Sequence, residues 1–386
     1  MSEINQPSSR LHFIDIARSL AIILMLQGHF ISHSFADYTT MTAELRATGA
    51  SSNYFFDLWC QFRGFTAPLF FTITGLVFTY LLVKNKSGSF WSQKRVRKGI
   101  KRGITIVLWG YILQFSVRYI DIYLAQGINS RFYAFHVLHC IGFGLLALIL
   151  VYWIYSKIKR VPLEVYLITL ATAFFVIAPM IHSKESGFFP SGAHPIIQNA
   201  FHGPNSVFPI FPWFGFIFFG GAIGSLVHRY QYKIGQKGFT LRITALGVAA
   251  CLSAYALIMI VGKEFPTNNF LGRGYWQFNQ LVIIVLILGL MMQIQLKSRI
   301  KIPFLIAIGQ NTLSVYILHV ILLYNAIFGI GLRNYLSKSL TFGEAIFGAI
   351  LFIIFFGLLT KYQPFVMARI KRILPSLKKE KNQVSP

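Results

Sequence analysis

The sequence predicts an all-α, polytopic integral membrane protein of about ten transmembrane helices, with both termini cytoplasmic. Three observations carry that prediction. Apolar residues make up 55% of the chain and charged residues only 12%, with 38 phenylalanines and a mean hydropathy of +0.59; this is not the balance of a water-soluble enzyme. Apolar runs of roughly 18 to 24 residues, long enough to cross a hydrocarbon core, recur along the chain. Basic residues concentrate in alternate connections between those runs, as the positive-inside rule requires. A net charge of +25 would otherwise suggest nucleic acid. Here the cations sit in short segments beside apolar runs and act as topology signals, so no nucleic-acid partner is expected.

Taken in order, the first span is 13–35 and carries Asp15, Arg18 and His29. No small-residue cleavage pattern follows it, so it reads as a retained helix rather than a signal peptide. The second, 61–83, opens on Arg63, and the third, 103–124, follows a basic loop holding Lys94, Arg95, Arg97, Lys98, Lys101 and Arg102. The fourth, 134–156, begins with His136 and His139; the fifth is 163–181; the sixth, 208–228, opens on Pro212 and Trp213. The seventh and eighth are 241–262 and 278–296, the ninth, 303–326, carries His319, and the tenth is 342–362. With the N-terminus inside, 26 of the 36 lysines and arginines fall in cytoplasmic segments. The domain reading is a short N-terminal segment, 1–12, one transmembrane domain, 13–362, and a basic tail, 363–386, resting on the anionic inner surface. Cys60, Cys140 and Cys251 show no CxxC spacing, and His182, His194 and His202 show no HxH or HxxxH spacing. Neither a disulfide framework nor a metal site is expected.

Ionisable residues at membrane depth are costly and normally face a protein interior. Arg18 and His29 are 11 residues apart, close to three helical turns, so they share one face about 16 Å apart along the axis. Orientation places His29, Arg63, His139 and His319 in the outer half of the membrane, and Asp15 and Arg18 near the inner face. Asn311, Ser314 and His319 fall roughly on one face of the ninth span, with Tyr316 between them, as a polar stripe aimed at a cavity. Plainer roles exist for each. Arg63 suits snorkelling to headgroups, His139 suits a packed residue bonded to a carbonyl, and Asp15 with Arg18 suits a structural ion pair. Asn, Ser and His also join membrane helices without further purpose.

Five blocks in order resemble membrane acyltransferases. They are Asp15-Ile-Ala-Arg18 with Met25 and His29; Arg63-Gly-Phe-Thr-Ala67-Pro68-Leu-Phe-Phe with Gly75; Val137-Leu138-His139-Cys140-Ile141-Gly142; Phe208-Pro-Ile-Phe-Pro212-Trp213-Phe-Gly215 with Gly220; and Gly309-Gln-Asn311-Thr-Leu-Ser-Val-Tyr316-Ile-Leu-His319. The Arg-x10-His arrangement resembles the first-helix motif of the acyltransferase-3 type. The wider set is similar to the bacterial, DUF1624-type relatives of heparan-α-glucosaminide N-acetyltransferase. The resemblance implies a multi-pass enzyme of the bacterial inner membrane. Its donor would be cytosolic acetyl-CoA or another acyl-CoA, and its acceptor a glycan or other small-molecule hydroxyl or amine on the far side. Its partners would be the bilayer, the acyl-CoA and that acceptor, and a homodimer is a candidate assembly.

On that reading His29 is the general base, with an unperturbed imidazole pKa of about 6.5 suited to proton transfer at neutral pH; His33, one turn on, competes for the role. Arg63, His139 or the Asn311/His319 stripe would stabilise an oxyanion, with Asp15 holding Arg18 and Tyr316 and Trp213 in support. Arg18, Arg95, Arg97, Lys98, Lys101 and Arg102 would hold the CoA phosphates, although the basic loop also serves as a topology determinant. Direct transfer and a ping-pong route through an acyl-histidine both fit. The competing reading is a transporter or flippase using intramembrane His and Arg; a non-catalytic membrane partner is a third. Titration with CoA separates them.

Overall fold

The computed structural model describes residues 12–84, 88–127, 130–182, 192–234, 236–264, 269–297 and 303–373. Arg10, Lys86, Arg299, Lys301 and the tail lysines 378, 379 and 381 lie outside them. The described residues are almost entirely helical, with β-structure confined to isolated bridges. Among the described residues, seven helical segments are long and apolar enough to cross a membrane, beginning at Phe13, Tyr54, Val137, Ile210, Gly238, Trp276 and Phe342. The protein is an all-α polytopic membrane protein.

Those seven match seven of the ten expected spans, and the other three differ for physical reasons. The fifth span forms α8 (Leu163–His182), with Pro179 inside it and an apolar stretch of only Leu163–Pro179. The third forms α5 (Lys94–Gln114), which starts nine residues early and ends ten early. The basic run Lys94–Arg102 is therefore the first turns of a helix and not a loop, because Lys and Arg are good helix formers and nothing there stops the helix. Past Gln114 the chain turns extended at Phe115, then enters a short 3-10 turn and α6 (Ile120–Gln126). The ninth span is broken into α13 (Pro303–Gln310) and α14 (Thr312–Tyr324). At the other end of the chain α16 (Phe342–Ile373) runs on past 362 into the segment expected as tail.

The break in the ninth span has identifiable causes. Asn311 N closes α13 on Ile308 O at 3.1 Å, and the Asn311 side chain donates back to Ala307 O at 2.9 Å. Short polar side chains bond nearby backbone and so compete with helix continuation. Gly309 faces α1 (His12–Ser34) so closely that a Cβ there would overlap the Asp15 carbonyl and meet Ser19 Oγ at 2.6 Å. α13 is thereby seated on the start of α1.

Two further contacts fix the walls of the site. α4 (Thr66–Lys84) and α10 (Ile210–Arg229) approach through glycines: a Cβ on Gly75 would fall on the Ile217 carbonyl, and one on Gly220 on that of Thr72. Small residues let membrane helices pack backbone to backbone. At the other end of α1, Lys338 N and Leu340 N donate to the carbonyls of His33 and Ser34 at 3.1 and 3.0 Å. Ile327 N and O bond Phe115 O and Val117 N in the same way, tying the exit of α14 to the exit of α5.

Candidate active site

α1 is continuous, so its period delivers what the spacing predicts: Arg18 near one end and His29 near the other, both partly buried. Arg18 Nη1 stands 3.9 Å from Asp15 Oδ1, and Nη2 donates to Thr312 Oγ1 at 3.3 Å. The helix break puts Thr312 there, at the first position of α14. Arg18 also lines a cavity of about 90 Å3 together with Arg102, Thr312 and Tyr316, between apolar walls from α4 and α7 (Val137–Ile158). The cavity follows α4 from Leu81 to Phe70, a rise of roughly 16 Å. Its lining holds two guanidinium groups and no carboxylate.

Tyr316 connects the cavity to the histidines. Its ring meets the edge of His319 at 4.9 Å between centroids. His319 is fully buried, and its Nε2 lies 2.9 Å from His29 Nδ1. The other His319 nitrogen, Nδ1, is buried without a partner of good hydrogen-bond geometry, close to the backbone of Val315 and Tyr316 one turn back. A helix presents carbonyls to a side chain at that position, its amides being engaged, which suits the tautomer with Nδ1 protonated. In that tautomer Nε2 is an acceptor and His29 donates from Nδ1. That tautomer leaves the lone pair on His29 Nε2, the nitrogen a general base needs.

Around this pair, Tyr324 sets its ring edge against both His29, at 5.7 Å, and His33, at 5.5 Å. His33 Nε2 is buried without a partner, and its ring does not join the pair. Arg63 is held by contacts within the protein. Its side chain lies along Gly28, its Nη1 donates to the Tyr38 hydroxyl, and its guanidinium sits over the rings of Tyr38 and Trp59 at 5.4 and 5.5 Å. Trp59 Nε1 in turn donates to Gln27 Oε1 at 2.5 Å. Lys338 completes this rim, with Nζ bonded to Ser32 O at 2.9 Å and 4.3 Å from the Tyr38 ring centroid. Burial, then the nearby Arg63 charge, lowers the pKa of Lys338 from its ordinary value.

Other expected residues lie elsewhere. His139 does not join the His29–His319 pair. Its Nδ1 accepts from His136 N at 3.3 Å, and its ring is enclosed by Gly110, Tyr111 and Phe135 between α5 and α7. Trp213 belongs to an aromatic cluster with Phe71, Phe208 and Trp276, the first at 5.2 Å, and touches neither histidine. Asn311 sits in the helix break and bonds backwards, so it does not share a stripe with His319. Of the basic run, Arg102 alone lines the cavity, while Lys94, Arg97, Lys98 and Lys101 are exposed and Arg95 is half-buried. Sequence reasoning missed Tyr324, Tyr38, Trp59 and Thr312; Gln27, a polar residue two positions from His29, was the available signal for the Trp59 contact. Among the described residues no group of three His, Cys, Asp or Glu is placed to hold a metal ion.

A search of curated proteins finds no match. The model of one family, heparan-alpha-glucosaminide N-acetyltransferase, catalytic, matches residues 10–260. The match takes in Arg18, His29, Arg63 and His139 and stops before α13 and α14, so the place of His319 rests on geometry. It favours a membrane acetyltransferase over a transporter. By that match, which spans well over half its length, the chain belongs to the heparan-alpha-glucosaminide N-acetyltransferase family.

Proposed function

We propose that this chain moves an acetyl group from acetyl-CoA, entering on the side of the basic segments, to a hydroxyl or amine of a sugar-type acceptor on the opposite face. The family's printed name supplies the reaction class. The reading rests on the 2.9 Å His29–His319 contact, which Tyr316 joins to a cavity lined by two arginines. Acetyl-CoA fits the residues present. Arg18 and Arg102 suit its phosphates by charge-assisted bonding, and the apolar walls suit its pantetheine arm. Bound there, it supplies a thioester carbonyl open to attack.

The chain's own residues then do the following. His319 fixes the His29 tautomer. His29 Nε2 takes the proton from the acceptor oxygen or nitrogen as that atom attacks, and as the C–S bond to CoA breaks the imidazolium gives that proton to the leaving thiolate. Arg63, held by Tyr38 beside Gly28, steadies the negative charge that develops on the acyl oxygen. Thr312 and Asp15 hold Arg18 towards the donor. His33, outside the pair, is a wall residue. The site is expected in a bacterial cytoplasmic membrane, with the basic segments inside.

Sealed proteoliposomes test this. Acetyl-labelled acetyl-CoA is supplied on one side and a glucosamine acceptor on the other. Labelled acceptor and free CoA should appear together, on opposite sides. Flux of the acceptor without CoA release would instead establish the transporter reading.

A further inference from the structure

A second cavity lies apart from the histidines. It has a volume of about 630 Å3 and separates α8 and α10 from α11 (Lys237–Glu264) and α12 (Asn269–Lys297). Phe175, Phe219, Ile223, Ala250 and Val285 are among its walls. Its polar groups are largely spent on backbone: Thr240 Oγ1 donates to Ile234 O at 2.8 Å, and Thr244 Oγ1 to Thr240 O at 2.9 Å. Apolar cavities of about 150 Å3 already stay dry and take up apolar molecules. This one is several times larger and falls within the range of ligand pockets, about 300–1,000 Å3.

The setting names the occupant. α11 is the spanning helix least covered by protein, with Leu241, Leu246, Leu252 and Leu257 all exposed, so bilayer lipid reaches its surface. The cavity occupies the half of the membrane next to the basic segments, since its α10 wall ends at Val227 and Tyr230. At that end Tyr230 and Phe239 stand 5.6 Å apart, and Lys233 Nζ lies 5.8 Å from the Phe239 ring. Among the described residues no carboxylate pairs with Lys233. Arg229 is held by Glu164 at 2.9 Å with nearly half its side chain still exposed. An apolar slot whose basic-side end is closed by Tyr230 and Phe239, with Lys233 and Arg229 beside them, matches a phospholipid, acyl chain inside and phosphate at the rim.

We propose that the α8–α10–α11–α12 cavity holds an acyl chain of an anionic phospholipid from the leaflet beside the basic segments, with its phosphate at Lys233 and Arg229. The full chain, reconstituted in nanodiscs of mixed phosphatidylglycerol and phosphatidylcholine and released for native mass spectrometry, should retain phosphatidylglycerol at about one per chain. Wild type that emerges without lipid, or with both lipids in their bulk ratio, overturns the proposal without any variant. Ala250→Trp fills the slot and should lose the retained lipid. Lys233→Glu leaves the slot open and should abolish the preference for phosphatidylglycerol while a lipid is still carried. Folded Ala250→Trp that keeps its phosphatidylglycerol, or a dimer that this variant breaks with no lipid lost, would show that something else fills the slot.

Discussion

Two spans bring the site together, and they do so differently. α1 is unbroken from His12 to Ser34, and its helical period alone sets Arg18 and His29 on one face. The ninth span is cut between Gln310 and Thr312, and the cut is what lets it serve two levels at once. α13 is clamped to the start of α1 through Gly309, while α14 starts afresh with Thr312 on Arg18 and carries Tyr316 and His319 up to His29. On the proposed mechanism the continuous helix supplies the reactive group. The interrupted one supplies the partners that orient it.

The sharpest test of that division removes the reactive group. His29→Ala should cost at least about 10²-fold in acetyl transfer, the lower range for a lost general base, while binding of acetyl-CoA measured by calorimetry is kept. His33→Ala, outside the pair, should cost less than about threefold on the same scale. If His33→Ala were the inactive variant and His29→Ala the active one, the roles of the two histidines would have to be exchanged.

Next comes the orienting partner. His319→Ala leaves His29 Nδ1 without its acceptor and frees the ring to take the wrong tautomer. A loss of about 10- to 10²-fold in kcat is expected, less than for the base itself. His319→Gln restores an acceptor oxygen near the same place and should recover part of the loss, with a changed pH–rate profile in both variants. Equal activities for the two would mean that His319 only fills space.

These residues also show how far the sequence could be read. The Arg18–His29 face was legible because a continuous helix has one period and depth follows from position. His319 was legible in depth for the same reason. Asn311 was not, because the break depends on a side chain bonding to Ala307 O and on the approach of Gly309 to Asp15, a contact nearly 300 residues distant in sequence. The surroundings of His139 were not legible, since the rotation of α7 about its own axis is set by packing on Gly110 and Tyr111. The basic run read as a loop because charge beside an apolar run marks a membrane boundary, yet charge does not end a helix.

The clamp at Gly309 separates stability from chemistry. Gly309→Ala puts a methyl group into the Asp15 carbonyl and against Ser19, with backbone on one side and no flexible end to yield. Overpacking of that kind costs about 1–3 kcal/mol and should appear as a lowered Tm in detergent. Gly238→Ala, whose added Cβ meets nothing within 4 Å, is the control and should stay within about 0.5 kcal/mol of wild type. A Gly309→Ala protein with unchanged Tm would mean that α13 is not locked to α1.

The smallest effect tests whether the restart of the ninth span matters to the donor end. Thr312→Val keeps the shape and deletes the hydroxyl that accepts from Arg18 at 3.3 Å. Arg18 retains Asp15 at 3.9 Å, so its charge stays in place and only its direction loosens. A partly buried bond of that length is worth about 0.5–1.5 kcal/mol, or roughly twofold to thirteenfold in an equilibrium constant. Because Arg18 is assigned to donor binding and lies three turns from His29, the change should fall on KM for acetyl-CoA with kcat preserved. Thr312→Ser, which keeps the hydroxyl, should match wild type. A fall in kcat with KM unchanged would shift the role of the break from the donor to the histidine pair, through Tyr316, and the two spans would then act on the same step.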